Sequence, residues 1–175
     1  MTPSNAARTI VALFTATLAA GSAAADPQNH AQEILNATGF QGGLVVHLGC
    51  GEGQLTGALR AGDGYLVHGL DADAANVAAA RQNLRKAGLY GRVAVDRLRG
   101  DRLPYNDNVV NLLVAEDLGG VGEAEMMRVL APGGVAYVGP GGKWVKNVKP
   151  WPGDIDEWTH FMYDPSGNAV SDDMV

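Results

Sequence analysis

The sequence predicts an α/β fold: an open parallel sheet of about five strands with helices on both faces, ending after the fifth strand. Three observations carry this. Leu44-Val45-Val46-His47-Leu48 is a buried-strand pattern that runs straight into Gly49-Cys50-Gly51-Glu52-Gly53 and then into a helical segment. Strand-like and helix-like segments alternate from there to Val138, the order that yields parallel strands with right-handed crossovers. Beyond Gly139, the residues Pro140, Gly141, Gly142, Pro150, Pro152 and Gly153 break any regular element, and the apolar pattern dissolves.

Taken in order, Ala31 to Thr38 reads as a short helix with Ile34 and Leu35 facing inward, ended by Gly39. The first strand is Leu44 to Leu48. After the glycine turn, Gln54 to Arg60 reads as a helix whose first amides point at a ligand. Gly62-Asp63-Gly64 turns the chain into a second strand, Tyr65 to Leu70, ended by Asp71. Asp73 caps a helix from Ala74 to Ala87, with Val77 and Leu84 as its apolar positions and Gly88 closing it. Val93 to Val95 and Val109 to Ala115 are the third and fourth strands, and Glu123 to Leu130 is a helix. The turn Pro132-Gly133-Gly134 then leads into a fifth strand, Val135 to Val138. Trp144, Trp151 and Trp158 recur every seven residues, yet Pro150 and Pro152 forbid a single helix there. They read as separate anchors that dock an extended segment onto this domain or onto a protein partner.

The first 25 residues carry Arg8 as their only charge, an apolar run from Ile10 to Ala20, and Ser22-Ala23-Ala24-Ala25 before Asp26. That is the pattern of a secretory signal cleaved after Ala25, and it predicts an exported, periplasmic protein. The same run read as a core helix would leave the protein in the cytoplasm. It is well short of the roughly 20 apolar residues that a stable membrane anchor needs. The expected organisation is a leader over 1–25, one domain over 26–139, and an irregular tail or linker over 140–175. The formal charge is −6 and becomes −7 without Arg8. With no basic tract to offset it, nucleic acid and anionic membranes are excluded as partners. Lys143, Lys146 and Lys149 read as a solvated face. Cys50 is the only cysteine, so no intrachain disulfide is expected, and it reads as a small packed residue. His30, His47, His68 and His160 lack metal-ligand spacing, and no metal is expected.

Glycine at 49, 51 and 53 lets the main chain take positive φ and lets a ligand approach it closely. A strand, glycine turn and helix in this order form a Rossmann-like nucleotide site. The dinucleotide fingerprint would require glycine at 54 or 56, where the chain has Gln54 and Thr56. A pyrophosphate cofactor is therefore disfavoured.

Four segments together resemble a known family. They are His47-Leu48-Gly49-Cys50-Gly51-Glu52-Gly53; the strand ending in Asp71; Gly100-Asp101-Arg102-Leu103-Pro104-Tyr105; and Glu125-Met126-Met127-Arg128-Val129-Leu130-Ala131-Pro132-Gly133-Gly134. Over roughly residues 42–138 the chain is similar to the class I S-adenosylmethionine-dependent methyltransferases (type 11-like). The resemblance implies S-adenosylmethionine as cofactor and transfer of its methyl group to an unidentified acceptor. It implies a cofactor site at His47, Gly49, Cys50, Gly51 and Gly53, with Asp71 and the adjoining Ala72 at the ribose. Asp101 falls at the adenine amino group, with Asp96 in reserve for it, and the adjoining Arg102 is counted in the cofactor site. A carboxylate at the end of strand two can accept hydrogen bonds from both ribose hydroxyls. Each acid also has a plainer reading: Asp71 as the cap of the following turn, Asp101 as a solvated loop charge. Glu125 to Gly134 is a structural helix and turn in this family and is assigned no chemistry.

The chain departs from the family where His47 replaces the usual acid and Asn111 replaces another at the start of strand four. Glu116 and Asp117 lie at the carboxyl end of strand four, where ligands of open α/β sheets gather. They are substrate-side candidates, and no residue stands out as a catalytic base. Family members continue past strand five through another helix and an antiparallel strand pair, which the tail's glycine and proline content argues against. Asp156-Glu157-Trp158-Thr159-His160-Phe161 through Asp164 to Val170 resembles the lead-in of exported bacterial proteins in which such a domain precedes a quinoprotein-type propeller. On that reading the chain is the front part of a larger protein. The alternative to an enzyme is an exported, non-catalytic Rossmann-like module that serves as a docking platform.

Overall fold

The computed structural model describes residues 26–139 and 142–153, together with residues 165, 166 and 170. The expected leader over residues 1–25, Trp158 and most of the tail motif lie outside the described residues.

Helix α1 spans Pro27–Thr38, four residues longer at its start than the apolar pattern indicates. Asp26 and Pro27 explain the extension. The Asp26 carboxylate accepts from the Gln28 amide at 3.1 Å, and proline at the first helical position loses only an N–H that would have been unpaired anyway. Gly39, at φ 73°, ends the helix in the left-handed conformation. Then follow β1 (Gly43–Leu48), α2 (Gln54–Ala58), β2 (Tyr65–Asp71), α3 (Ala74–Lys86), β3 (Val93–Arg97), β4 (Val110–Ala115), α4 (Glu123–Val129), β5 (Leu130–Val138) and β6 (Val145–Val148). The sheet order is β3-β2-β1-β4-β5-β6. The first five strands are parallel and β6 runs antiparallel to β5. Chain direction across the sheet reverses at β1, so the crevice between β1 and β4 is the position where ligands of open sheets bind.

Each face of the sheet has its own core, as expected of buried parallel strands. Val45, Val67, Val95, Leu112 and Val114 pack against Ile34 and Leu35 of α1, Ala58 of α2 and Val77, Ala80 and Leu84 of α3. On the other face Val46, Leu48, Leu70, Leu113 and Ala136 meet Met126 and Val129 of α4 and Leu98 and Leu103 of the loop after β3. Among the described residues no helix is long and apolar enough to cross a membrane.

Two features differ from the sequence expectation. Pro132-Gly133-Gly134 lies inside β5 as an irregularity in register, not before it as a turn. Gly133, at φ 76°, supplies the bend, and a Cβ on Gly134 would stand 2.7 Å from the Ala131 carbonyl oxygen. The segment after Gly139 also contributes a strand. Val145 and Val148 of β6 are both exposed, so no apolar alternation announced it. Side-chain and main-chain anchors hold it instead. Lys146 Nζ donates to the Ala37 and Thr38 carbonyls at the end of α1, at 3.2 and 2.9 Å. Lys149 Nζ donates to Asn108 Oδ1 at 2.5 Å, and the Lys149 amide and carbonyl pair with Gly134 and Gly133. These two lysines are fasteners, which corrects their reading as a solvated face.

Candidate functional site

The glycine turn is built from its hydrogen bonds outward. The Gly49 and Cys50 amides both donate to the Leu70 carbonyl, at 2.8 and 3.2 Å, and the Gly53 amide donates to the Cys50 carbonyl at 2.9 Å. The Gly49, Cys50 and Gly53 amides are thus used within the protein. Helix α2 begins at Gln54 as expected but has five residues, ending at Ala58. What the turn offers is access: a Cβ on Gly51, at φ 51°, would meet nothing within 4 Å. Gly49 and Gly53 are glycine for packing, because a Cβ at 49 would lie 3.0 Å from Asp117 Cβ and one at 53 would lie 2.9 Å from Ala80 Cβ.

Asp71 ends β2 and is 7% exposed. Its carboxylate accepts from the Gly51 amide at 2.9 Å and from the Asp73 amide at 2.8 Å, while Asn76 Nδ2 straddles both oxygens at 3.2 Å. It therefore clamps the glycine turn to the start of α3. Asn76 was not singled out from the sequence. The usable signal was an amide on the first turn of the helix that follows a strand-ending acid.

His47 sits on β1, 2% exposed, facing Gly69 of β2 in register. Its Nδ1 lies 2.8 Å from the Thr56 hydroxyl of α2. Burial, with a smaller contribution from His30, lowers its pKa from 6.5 to about 4, against a weaker opposite pull from Asp71. At neutral pH the imidazole is uncharged. Gly69 makes the His47–Thr56 contact possible, since a Cβ there would stand 3.0 Å from Thr56 Cγ2 and from Cys50 Cβ and 3.1 Å from Val95 Cγ2. Gly69→Ala is expected to lift α2 from the sheet and to cost about 1–3 kcal/mol of stability, the range for overpacking a filled core. Urea unfolding reads this directly; an unchanged midpoint would disprove the close packing.

Cys50 is buried in the core with its thiol pKa pushed up to about 12, first by burial and then by the Asp71 charge. It packs and does not act as a nucleophile. Ala72 is exposed beside Asp71, and its carbonyl accepts from Arg97 Nε at 3.1 Å. Asp101 and Arg102 are exposed in the loop between β3 and β4. Asp101 makes no side-chain hydrogen bond or ion pair among the described residues, whereas Arg102 acts electrostatically on Glu125. Asp96 is engaged by Arg81 and by His68 at 3.1 Å, and Tyr105 in turn contacts His68 Nδ1 at 2.6 Å. Asp96 is therefore a member of a side-chain network on β3, the edge strand.

Glu125 and Arg128 hold the loop that carries Asp101. Glu125 accepts from the Leu103 amide at 2.7 Å, and Arg128 reaches the Tyr105 carbonyl at 2.9 Å and Asp107 at 2.5 Å. The Arg128 hydrogen bond is the main cause that holds the Glu125 pKa down at about 2.

At the carboxyl end of β4, Glu116 and Asp117 are exposed, and Glu116 lies 3.6 Å from His30 of α1. Trp144 closes this end near β5. It stacks on Tyr137 with centroids 4.8 Å apart, meets His30 edge-on at 5.5 Å, and covers Gly139, where any Cβ would strike its ring. Trp151, by contrast, is 71% exposed.

Comparison with known proteins adds to this geometry. A family model described as a methyltransferase domain matches residues 45–134. No curated protein matches the chain. Among solved structures, a protein of Methanococcus maripaludis assigned as an S-adenosyl-L-methionine-dependent methyltransferase is 26% identical, with TM-score 0.58, over 65% of this chain and 54% of that one. The [4+2]-cyclase SpnF is 28% identical, with TM-score 0.57, over 63% and 43% respectively. Geranyl diphosphate C-methyltransferase from Streptomyces coelicolor, solved with Mg2+, geranyl diphosphate and S-adenosyl-L-homocysteine, shares the fold at 20% identity and TM-score 0.55, over 63% and 44%. The chain spans about half the length of these proteins.

Proposed function

Since the chain belongs to the class I S-adenosylmethionine-dependent methyltransferase family, we propose that its glycine turn and Asp71 seat S-adenosylmethionine, and that the domain transfers a methyl group to an acceptor arriving at the ends of β4 and β5. One observation carries this reading: the open face of Gly51 lies directly beside the buried Asp71 carboxylate, and the two are joined by a hydrogen bond. That pairing fits a nucleoside, whose flat body needs main chain without a Cβ and whose vicinal hydroxyls need an acceptor. Asp71 can receive those hydroxyls by exchanging the shared, 3.2 Å contacts of Asn76 while keeping its shorter bonds to the Gly51 and Asp73 amides. Asp101, without a side-chain partner among the described residues, is the acceptor assigned to the adenine amino group.

When bound, S-adenosylmethionine supplies a methyl group on a sulfonium that leaves as a neutral thioether. Little acid or base help is then required, and alignment of the acceptor is the protein's main contribution. Trp144, Tyr137 and His30 wall the acceptor side, and Glu116 and Asp117 are the carboxylates within it. The acceptor itself is unassigned. The similar structure named a [4+2]-cyclase is the reason to test binding separately from transfer. Calorimetric titration of the chain with S-adenosylmethionine and S-adenosylhomocysteine is expected to give micromolar affinity for both. A folded sample that binds neither would overturn the proposal.

A further inference from the structure

A cavity of about 650 Å³ lies along β3, the edge strand, and its lining includes neither the glycine turn nor Asp71. Small-molecule sites usually measure about 300–1,000 Å³. Strand alternation explains how the cavity forms. Val67 and Val95 point into the core that α3 covers, so His68 and Asp96, one residue further on, point to the other face. Arg81 reaches round the edge from α3, donating through Nε to the Val95 carbonyl at 2.8 Å and pairing with Asp96. The polar lining is unbalanced. Asp96 is its one carboxylate and is already shared by Arg81 and by His68 Nε2, at 3.1 Å. Arg97 and Arg99 also line the cavity, on either side of the buried Leu98. Arg97 uses only its Nε, on the Ala72 carbonyl at 3.1 Å, and neither arginine has a carboxylate partner among the described residues. In a chain of formal charge −6, two uncompensated guanidiniums are thus set in one cavity. The rest of the lining is apolar: Ala74, Val77 and Ala78 of α3, and Pro104.

We infer that this cavity binds a phosphate monoester of a small organic molecule, with the phosphoryl oxygens on Arg97 and Arg99 and the organic part against Val77, Ala78 and Pro104. This site is separate from the proposed cofactor seat and does not depend on it. Each guanidinium presents a planar fork that takes two oxygens. A carboxylate has only two and is satisfied by one fork, whereas a phosphate monoester offers three and carries nearly two negative charges at neutral pH, so it engages both arginines. Asp96 does not oppose such a ligand, because Arg81 compensates its charge.

The test is titration of the full chain with phenyl phosphate and with benzoate, followed by calorimetry and by amide nitrogen-15 spectra, in the parent, Arg97→Gln, Arg99→Gln and Lys86→Gln. Lys86 lies on α3 outside the lining, so its substitution makes the same change of charge without touching the cavity. Arg99→Gln breaks no hydrogen bond or ion pair among the described residues, so it is expected to fold as the parent does. The parent is expected to bind phenyl phosphate saturably and benzoate about tenfold more weakly, each arginine variant to lose about tenfold for phenyl phosphate, and Lys86→Gln to stay within about twofold of the parent. The amides of Ala74, Ala78 and Arg99 are expected to shift on binding, while those of Gly51 and Gly53 stay in place. Absence of saturable binding by the folded parent, equal affinity for benzoate, parental affinity in Arg99→Gln, or an equal loss in Lys86→Gln overturns the inference. Shifts centred on Gly51 and Gly53 would put the phosphate on the glycine turn and overturn it as well.

Discussion

Asp71→Ala is expected to damage the protein twice. The carboxylate serves two main-chain amides at 2.9 and 2.8 Å as well as Asn76, so removing it leaves the Gly51 and Asp73 amides without their acceptor in a poorly solvated place. Hydrogen bonds to charged groups contribute about 1.5–3 kcal/mol each and are not additive when they share a group, so a stability loss of about 2–4 kcal/mol is expected in urea unfolding. The same substitution removes the acceptor proposed for the ribose hydroxyls, and affinity for S-adenosylhomocysteine should fall by a further 1.5–3 kcal/mol or so, about tenfold to a hundredfold. Asp71→Asn separates the two effects. It keeps one oxygen for an amide but turns an NH2 toward the other donor, so it should fold better than the alanine variant and bind little better. A folded Asp71→Ala protein with parental affinity would remove Asp71 from the site; parental stability would contradict the clamp.

Acid is expected to destabilise the fold well before its carboxylates titrate, and His47 is the cause. The unfolded chain takes up a proton at His47 near pH 6.5, whereas the folded chain holds out until about pH 4. Between those values the unfolded state binds more protons, so stability falls as pH drops through that window and levels off below it. The difference between the two pKa values corresponds to roughly 3 kcal/mol. Glu125 works in a lower window. Its folded pKa, about 2 against a reference of 4.5, means its contribution is complete above 4.5 and is lost on further acidification. Unfolding free energies measured from pH 7 to 4 should therefore slope downward in the parent and lie nearly flat in His47→Gln. Equal slopes in both would show that the imidazole titrates normally.

Much of the fold was legible because its signals are local. The apolar strands, Asp73 and Gly88 at the ends of α3, and the glycine turn each declare themselves within a few residues, and the parallel order follows from their alternation. The errors fell where distant contacts decide. Strand β6 has exposed valines and is fixed by lysines that reach α1 and Asn108, which no local pattern encodes. Pro132 to Gly134 looks like a turn in isolation and becomes part of β5 because β4 and the Lys149 main chain pair with it. In the candidate site, the sequence pointed to Asp71 and the glycines, but it could not show that most of the turn's amides are already occupied, nor that Thr56 meets the buried His47 where Gly69 leaves room for it. Those facts depend on how closely α2 approaches the sheet.

The Lys146 contact has a consequence for how the chain matures. It joins the last described strand to the end of the first helix, across 108 residues of sequence. During synthesis α1 is made first, yet its terminal carbonyls at Ala37 and Thr38 gain this partner only after residue 146 has left the ribosome. Until β6 zips onto β5, the nascent domain carries an unpaired strand edge of the kind that recruits other chains into aggregates. Contacts of such long sequence separation also slow folding, because loop closure precedes the energy it returns. The short strand after Gly139 thus acts as a closing latch, and a gene fragment cut at residue 139 would produce a protein with its β5 edge permanently open.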